Sequence, residues 1–296
     1  MNKGQRIEKI GFIINPNSGS NNSNSTIKMI KKFFNKEYYE PIIALTKRPG
    51  HASEIAKDFL NQNVAKIVAV GGDGTVNEIG KVLINTETAL GIIPIGSGNG
   101  LARHLKIPLK TVDAINVIKK GKFSSIDYGK INGIPFFCTC GIGFDALVGK
   151  KFAKSRNRGF LNYFKSTVLE FFKYKPRNYE VIFDNTKIKQ RAFLITFANA
   201  SQYGNNVYIS PLADIKDGLL NVCLILPFPF YRVFNLAYRL FNKTIDKSKY
   251  FVTFRVKKIT VLRERKEAVH FDGEPLKLGR KIKIKVIAKG LDVIVP

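Results

Sequence analysis

The sequence predicts two domains: an α/β domain over residues 1–128, built on a layered, mostly parallel sheet, and a mostly antiparallel β domain over 129–289. Three observations carry this. At 296 residues the chain exceeds the usual size of one domain. Its first part alternates short, continuous apolar runs with helical stretches, the pattern of strands joined through helices. After Ser125 the pattern gives way to β-rich runs bounded by Gly, Asn and Pro.

The runs at 8–14, 41–45, 66–70 and 90–95 read as strands buried on both faces, because their apolar residues are consecutive rather than alternating. Helices are expected at 25–36, 50–61, 75–85, 99–104 and 111–120. In the second part, strands are expected at 126–130, 134–140, 178–184, 191–198, 219–225, 251–256, 258–264 and 281–287. Helical stretches fall near 159–174 and 229–241. No internal repeat or low-complexity linker interrupts this order, and the cleft between the two domains is the expected active site.

Three strand ends in the first hundred residues carry small polar or glycine-rich loops. Phe12–Ile14 runs into Asn15, Pro16, Asn17, Ser18 and Gly19; Ile67–Val70 runs into Gly71, Gly72, Asp73 and Gly74; Ile92–Ile95 runs into Gly96, Ser97, Gly98, Asn99 and Gly100. Ligands of open α/β sheets bind outside the carboxyl ends of the strands. A glycine-rich turn that opens a helix presents bare backbone N–H groups at the positive end of the helix dipole, a site for phosphate. Glycines 71, 72 and 74 allow positive φ and the close approach of an anion, where any Cβ would collide. Asp73 would repel a phosphate directly, so it is expected to face Mg²⁺ or to fix the loop. The chain has neither GxxxxGK[ST] nor GxGxxG after a first strand, which removes Walker-type and Rossmann dinucleotide readings.

Composition narrows the partners. The net charge is +27, which draws a protein to nucleic acid or to an anionic membrane surface. Nine cations stand between Lys150 and Arg177 against Glu170 alone, interleaved with Phe152, Phe160, Leu161, Tyr163, Phe164 and other large apolar residues. That mixture suits a peripheral membrane surface, and equally an amphipathic helix with a Phe core face and solvated lysines. No helix-turn-helix, zinc-finger or RNP pattern is present, so no specific nucleic-acid partner is expected. No segment reaches the ~18 apolar residues of a membrane span, and MNKGQRIEKI lacks the apolar stretch of a signal peptide. Cys138, Cys140 and Cys223 lie in apolar surroundings and are expected as buried free thiols in a reducing cytoplasm.

Two acidic turns complete the candidate chemistry. His270, Asp272 and Glu274 cluster in HFDGEPL, where either carboxylate could accept a proton, although Asp-Gly is also the signature of a hairpin turn. PLADIKDGL (211–219) places Asp214 and Asp217 in a second turn, a set of hard oxygen donors of the kind Mg²⁺ prefers or simply a surface turn.

The ordered set NPNSG (15–19), GGDGTVNE (71–78), GSGNGLAR (96–103) and DGE (272–274) resembles the diacylglycerol kinase catalytic-domain family, which includes bacterial lipid kinases and the sphingosine and ceramide kinases. GGDGT is shared with NAD kinases and phosphofructokinases, and a first domain of their kind is expected. The resemblance implies ATP and Mg²⁺ as cofactors and a nucleotide site made by Asn15, Pro16, Asn17, Ser18, Gly19, Thr46, Gly71, Gly72, Asp73, Gly74, Thr75, Val76, Asn77 and Ser97. It implies Asp272 as base with Glu274 second, a substrate-binding Asp145 in GIGFDA, and a metal held by the Asp217 side chain with backbone carbonyls of Asp214 and Leu219. It also implies that residues 290–296 return to the first domain. One departure is Asn99-Gly100, where many bacterial relatives have Asn-Asp; the loop then looks nearer to the sphingosine-kinase type.

The expected protein is an ATP- and Mg²⁺-dependent lipid kinase acting on the hydroxyl of a diacylglycerol-like or sphingoid lipid, cytoplasmic and peripherally associated with an anionic membrane surface. A homo-oligomer stays open. An NAD kinase-like enzyme with a soluble substrate leaves segment 150–177 unexplained. A non-catalytic lipid- or nucleotide-binding regulator leaves the retention of Asp73, Asp217, Asp272 and Glu274 unexplained.

Overall fold

The computed structural model describes residues 7–19, 23–34, 38–147, 171 and 173–296. The helix expected near 159–174 and most of the basic segment 150–177 lie outside the described residues. The chain divides into two compact units, Met1–Ile126 with Lys289–Pro296, and Asp127–Ala288.

The first unit alternates β1 (Glu8–Ile14), α1 (Ser23–Phe33), β2 (Tyr39–Leu45), α2 (His51–Asn61), β3 (Lys66–Gly71), α3 (Asp73–Leu83), β4 (Ala89–Pro94), α4 (Gly100–His104) and α5 (Thr111–Lys120). The strands lie in the order β2-β1-β3-β4, all parallel. β3 and β4 are buried along their whole length, as their unbroken apolar runs require. Helices supply the cover. The buried face of α2 is Ala52, Ile55, Ala56 and Phe59, and the Phe59 ring occupies the space a Cβ would need at Gly11 of β1. Because all four strands run the same way, Asn15, Thr46, Gly72 and Ile95 emerge at one edge of the sheet. Backbone bonds hold that edge in register: Asn15 N donates to Val70 O, Thr46 N to Ile14 O and Ile95 N to Gly71 O, each at 2.9–3.0 Å.

The second unit follows, its first strand β5 (Phe123–Ile131) beginning in the first. Next come β6 (Ile134–Phe136), β7 (Thr139–Gly143), β8 (Arg177–Phe183), β9 (Thr186–Ala192), β10 (Leu194–Ala198), β11 (Leu220–Ile225), α6 (Val233–Phe241), β12 (Phe251–Val256), β13 (Lys258–Arg263), β14 (Glu267–Phe271), β15 (Glu274–Leu278) and β16 (Lys281–Ile294). One sheet has the order β12-β11-β10-β7-β14-β15 and is antiparallel throughout. In a second antiparallel sheet β13 pairs with both β16 and β8, and β8 with β9. Ile142, Phe197 and Val222 from one sheet and Val181, Val261 and Ile282 from the other share a single core, so this unit is a β-sandwich.

β16 serves both units in turn. Its residues Lys281–Lys285 pair with β13, and Val293 then lies parallel to Leu90 of β4, while Asn85 N donates to Gly290 O. The structure separates two strands, β9 and β10, where one run was expected over 191–198. It also adds the hairpin β14–β15, which the apolar pattern did not mark.

Candidate active site

In the first unit the expected nucleotide residues gather at the strand-end edge. Asn15 Nδ2 donates to Thr75 Oγ1 at 3.3 Å, and the Asn15 Oδ1 accepts Asn17 N at 3.0 Å, tying NPNSG to the start of α3. Gly19 takes a φ of 69°, which suits glycine. α3 begins at Asp73 with Gly72, which has no side chain to cap it, as its N-cap residue, and a helix start of this kind can receive an anion. Ser97 follows β4 in the facing loop.

The glycines do not use the positive φ open to them. Gly71, Gly72 and Gly74 are not among the positive-φ residues, and Gly72 is extended at φ −97°. What demands the lack of a side chain at the first two is protein: a Cβ at Gly71 would overlap the Thr75 side chain, and one at Gly72 would lie 3.3 Å from Gly96 Cα. A Cβ at Gly96 would overlap the Gly72 backbone in return. The two glycine loops are therefore packed backbone to backbone. Asp73 fixes the facing loop: its carboxylate accepts Asn99 N at 2.8 Å and Gly100 N at 2.7 Å, at the start of α4. Asn99 stands at φ 53°, donates its Nδ2 to Gly96 O at 2.7 Å, and buries an Oδ1 that has no hydrogen-bond partner among the described residues. Glu78, at the end of GGDGTVNE, accepts Gly50 N at 2.8 Å and Ala52 N at 3.1 Å and so anchors the start of α2.

In the second unit Asp145 lies in helical residues 144–147, directly after β7. Its Oδ2 accepts Thr196 Oγ1 at 3.0 Å and lies 3.0 Å from His270 Nε2, and its Oδ1 accepts Ala146 N at 2.7 Å. Thr196 Oγ1 and Tyr203 Oη are 2.6 Å apart. β7, β10 and β14 are neighbours, which brings residues far apart in sequence to one place. Gly141, opposite His270 in the ladder, leaves the space that Asp145 and His270 occupy; a Cβ there would overlap both. A cavity of ≈580 Å³ beside these residues is lined by Gly143, Leu147, Tyr174, Ala268, Pro275 and Leu276, together with Arg177, Arg265, Lys266, Lys277 and Glu267. Its volume is that of small-molecule sites.

Asp272 and Gly273 form the two-residue turn between β14 and β15, with φ of 47° and 84° and the flanking pair Phe271–Glu274. Both central residues at positive φ make this a hairpin turn of the type Asp-Gly favours. The Asp272 carboxylate accepts three backbone N–H groups: Phe137 at 2.7 Å, Cys138 at 2.8 Å and Thr139 at 3.1 Å. These bonds tie the start of β7 to the turn. Glu274 starts β15 immediately after the turn. Cys140 lies between Asp272 and Asp145; burial first, then these two carboxylates, pushes its thiol well above the ordinary range.

The turn at 214–219 is braced from within. Asp217 Oδ1 accepts Leu219 N at 2.9 Å, its Oδ2 lies 3.3 Å from Arg255 Nη1, and Asp214 Oδ1 accepts Lys216 N at 2.9 Å. Asp127, fully buried in β5 and unmarked in the sequence, accepts Gly218 N at 2.6 Å. Among the described residues no group of three or more His, Cys, Asp or Glu side chains is placed to hold a metal. A Mg²⁺ at this turn would rest on one carboxylate, backbone carbonyls and water. The oxygen donors fit that ion in kind, but Arg255 already faces the carboxylate.

Fold and site together define a two-unit protein: a parallel α/β unit with glycine-rich strand ends, and a β-sandwich with a buried polar cluster. Residues 9–131 match the diacylglycerol kinase catalytic domain, and residues 138–295 match the YegS C-terminal NAD kinase beta sandwich-like domain. The chain belongs to this diacylglycerol kinase catalytic-domain family with a YegS-type second domain. It is 34% identical over 187 residues to a diacylglycerol kinase of Mycobacterium tuberculosis, covering 59% of this chain and 60% of that protein. It is 26% identical over 286 residues to a "Probable lipid kinase YegS-like" of Serratia proteamaculans, covering 94% and 92%. The crystal structure of a diacylglycerol kinase from Bacillus anthracis str. Sterne superposes with a TM-score of 0.77 at 21% identity over 98% of both chains, and another from that organism with 0.81 at 24%.

Proposed function

We propose that the protein is an ATP- and Mg²⁺-dependent lipid kinase that transfers the γ-phosphoryl group to the hydroxyl of a diacylglycerol-like or sphingoid lipid. The observation that carries this reading is the glycine-capped start of α3, framed by Asn15, Thr75 and the two packed glycine loops. Phosphoryl transfer asks chiefly for positioning and charge stabilisation, which fixed backbone N–H groups supply. In the reaction the lipid oxygen forms a bond to the γ-phosphorus, the bond to the β-phosphate oxygen breaks, ADP leaves, and the hydroxyl proton passes to a carboxylate. Bound with the nucleotide, Mg²⁺ would neutralise charge on the transferring group. The buried Asn99 Oδ1 is an acceptor that a nucleotide amino group or a hydrated cation would satisfy.

We assign lipid headgroup recognition to Asp145, backed by His270, Thr196 and Tyr203, with the adjoining cavity taking the apolar part of the substrate. Both carboxylates of the turn stay candidates for the base; the three backbone N–H groups that Asp272 accepts support a role for it as anchor of its turn and favour Glu274 as proton acceptor. Mg²⁺ at 214–219 would serve rigidity of the β-sandwich. A charge of +27 supports a cytoplasmic protein held peripherally at an anionic membrane. The test is transfer from radiolabelled ATP to a panel of diacylglycerol, sphingosine and ceramide, with NAD⁺ included. Label in a lipid product is expected; label only in NADP⁺, or none, overturns the reading.

A further inference from the structure

α6 and the turn that leads into it carry two apolar stripes where a surface helix needs one. The inner stripe is Val233, Leu236 and Leu240, spaced three and four apart. Leu236 is 4% exposed and belongs to the cluster of Phe193, Ile225 and Phe251, with Leu240 packed against it. That stripe suffices to seat the helix on its sheet. The outer stripe is Tyr231, Phe234, Tyr238 and Phe241, spaced three, four and three apart and therefore on one side of the helix. These side chains are 70%, 73%, 66% and 47% exposed. Single exposed apolar residues are ordinary, but four large aromatic ones in a row mark a surface that meets something.

The charge around the stripe says what it meets. Between Phe230 and Tyr250 stand Arg232, Arg239, Lys243, Lys247 and Lys249 against Asp246 alone. The Arg232 guanidinium lies 5.3 Å from the Tyr231 ring, and the Lys243 ammonium 4.5 Å from the Tyr208 ring. Arg232 thus stands beside the stripe itself, and Lys243 beside the ring of Tyr208. Phe rings flanked by Tyr, whose hydroxyl tips stay wet, are the composition of a membrane–water interface, and neighbouring Lys and Arg add attraction for anionic headgroups. A protein partner with a matching apolar groove would not call for five cations against one acid over residues 230–250. We infer that the Tyr231–Phe234–Tyr238–Phe241 face of α6 is a docking surface for an anionic lipid bilayer, lying in the interface plane. No described helix is long and apolar enough to cross a membrane, so this attachment is reversible. The inference uses residues apart from the nucleotide and lipid sites and from segment 150–177, and its test requires no turnover.

The chain contains no Trp, so Phe234→Trp installs a single reporter. Its emission should shift to the blue and gain protection from acrylamide on adding vesicles of phosphatidylcholine with phosphatidylglycerol, and should change little with phosphatidylcholine alone. In co-sedimentation, the full chain carrying Tyr231→Ser, Phe234→Ser and Tyr238→Ser should bind the anionic vesicles about tenfold or more weakly than the parent at physiological salt. Its circular dichroism and melting temperature should match the parent, because all three side chains are exposed. An unshifted indole spectrum, or equal vesicle binding by the triple variant, overturns the inference. So does a parent dimer, seen by light scattering, that the triple variant converts to monomer, since the stripe would then be a contact between copies of the chain. Lys150→Glu, Lys151→Glu and Lys154→Glu, added to the Phe234→Trp chain, test the other basic segment separately and should leave the blue shift of the reporter in place.

Discussion

At residue scale the DGE turn is the point where chemistry and architecture compete for one carboxylate. Asp272 is tied to Phe137, Cys138 and Thr139 by three N–H bonds. Asp272→Asn puts an NH₂ group against those donors, and a buried donor left facing another costs about 1–3 kcal/mol. A lower melting temperature is therefore expected together with any loss of activity. Glu274→Gln should instead reduce turnover by roughly 10²-fold or more at an unchanged melting temperature, the usual share of a general base. Scanning calorimetry and single-turnover rates on both variants separate the roles; an Asp272→Asn protein of parental stability with lost turnover would restore Asp272 as the base. Asp217 poses a similar choice between cation and guanidinium. If a metal occupies the turn, added Mg²⁺ should raise the melting temperature of the parent by mass action and leave Asp217→Ala unmoved. Equal responses in the two proteins would leave Arg255 as the partner that matters.

At the scale of elements, the packed loops after β3 and β4 behave as one unit. A Cβ at Gly72 stands 3.3 Å from Gly96 Cα and requires a small adjustment, whereas one at Gly96 runs into backbone. Gly96→Ala should therefore lower both urea stability and ATP affinity more than Gly72→Ala does; the reverse order would show that the loops move apart easily. The sheet β12-β11-β10-β7-β14-β15 makes a second prediction through its buried thiols. Burial raises Cys140, and raises Cys223 from 9.0 to about 11. The folded chain keeps protons that the unfolded chain releases, so the stability this contributes is present below pH 9 and is lost as pH rises toward about 11. Urea midpoints should fall across that range. At pH 8 iodoacetamide should label the native protein poorly and all three cysteines once it is unfolded.

What was legible follows from the same elements. β3 and β4 were plain because burial on both faces leaves an uninterrupted apolar run, and the loops after them were plain because glycine is rare inside such runs. β9 and β15 were not, because each stands at a sheet edge with most residues part-exposed, so their sequences TKIKQRA and EPLKL look polar. Asp73 was legible as a residue that faces a cation or fixes its loop, but the partners of the acids that organise the site gave no local signal. Asp127 braces a turn some ninety positions away, Asp73 a loop twenty-six positions on and Glu78 a helix start twenty-eight positions back. Their partners are chosen by topology. The glycines were marked for the close approach they allow, and at Gly72 and Gly96 what approaches is the neighbouring backbone.

For the whole molecule, β16 imposes an order on biosynthesis. Residues 289–294 lie beside β4 in the first unit, yet the ribosome makes them only after every residue of the second. N-terminal domains usually fold first as the chain emerges. Here the flank of β4 stays open until the β-sandwich has been synthesised, leaving an unpaired strand edge exposed to other nascent chains. Ribosome-arrested chains that end near residue 288 should show a protease-sensitive first unit, and chains extended past residue 296 by a tethering sequence a resistant one. Cells making this protein would then rely most on holding chaperones during the translation of its second half, well after the first half has left the exit tunnel.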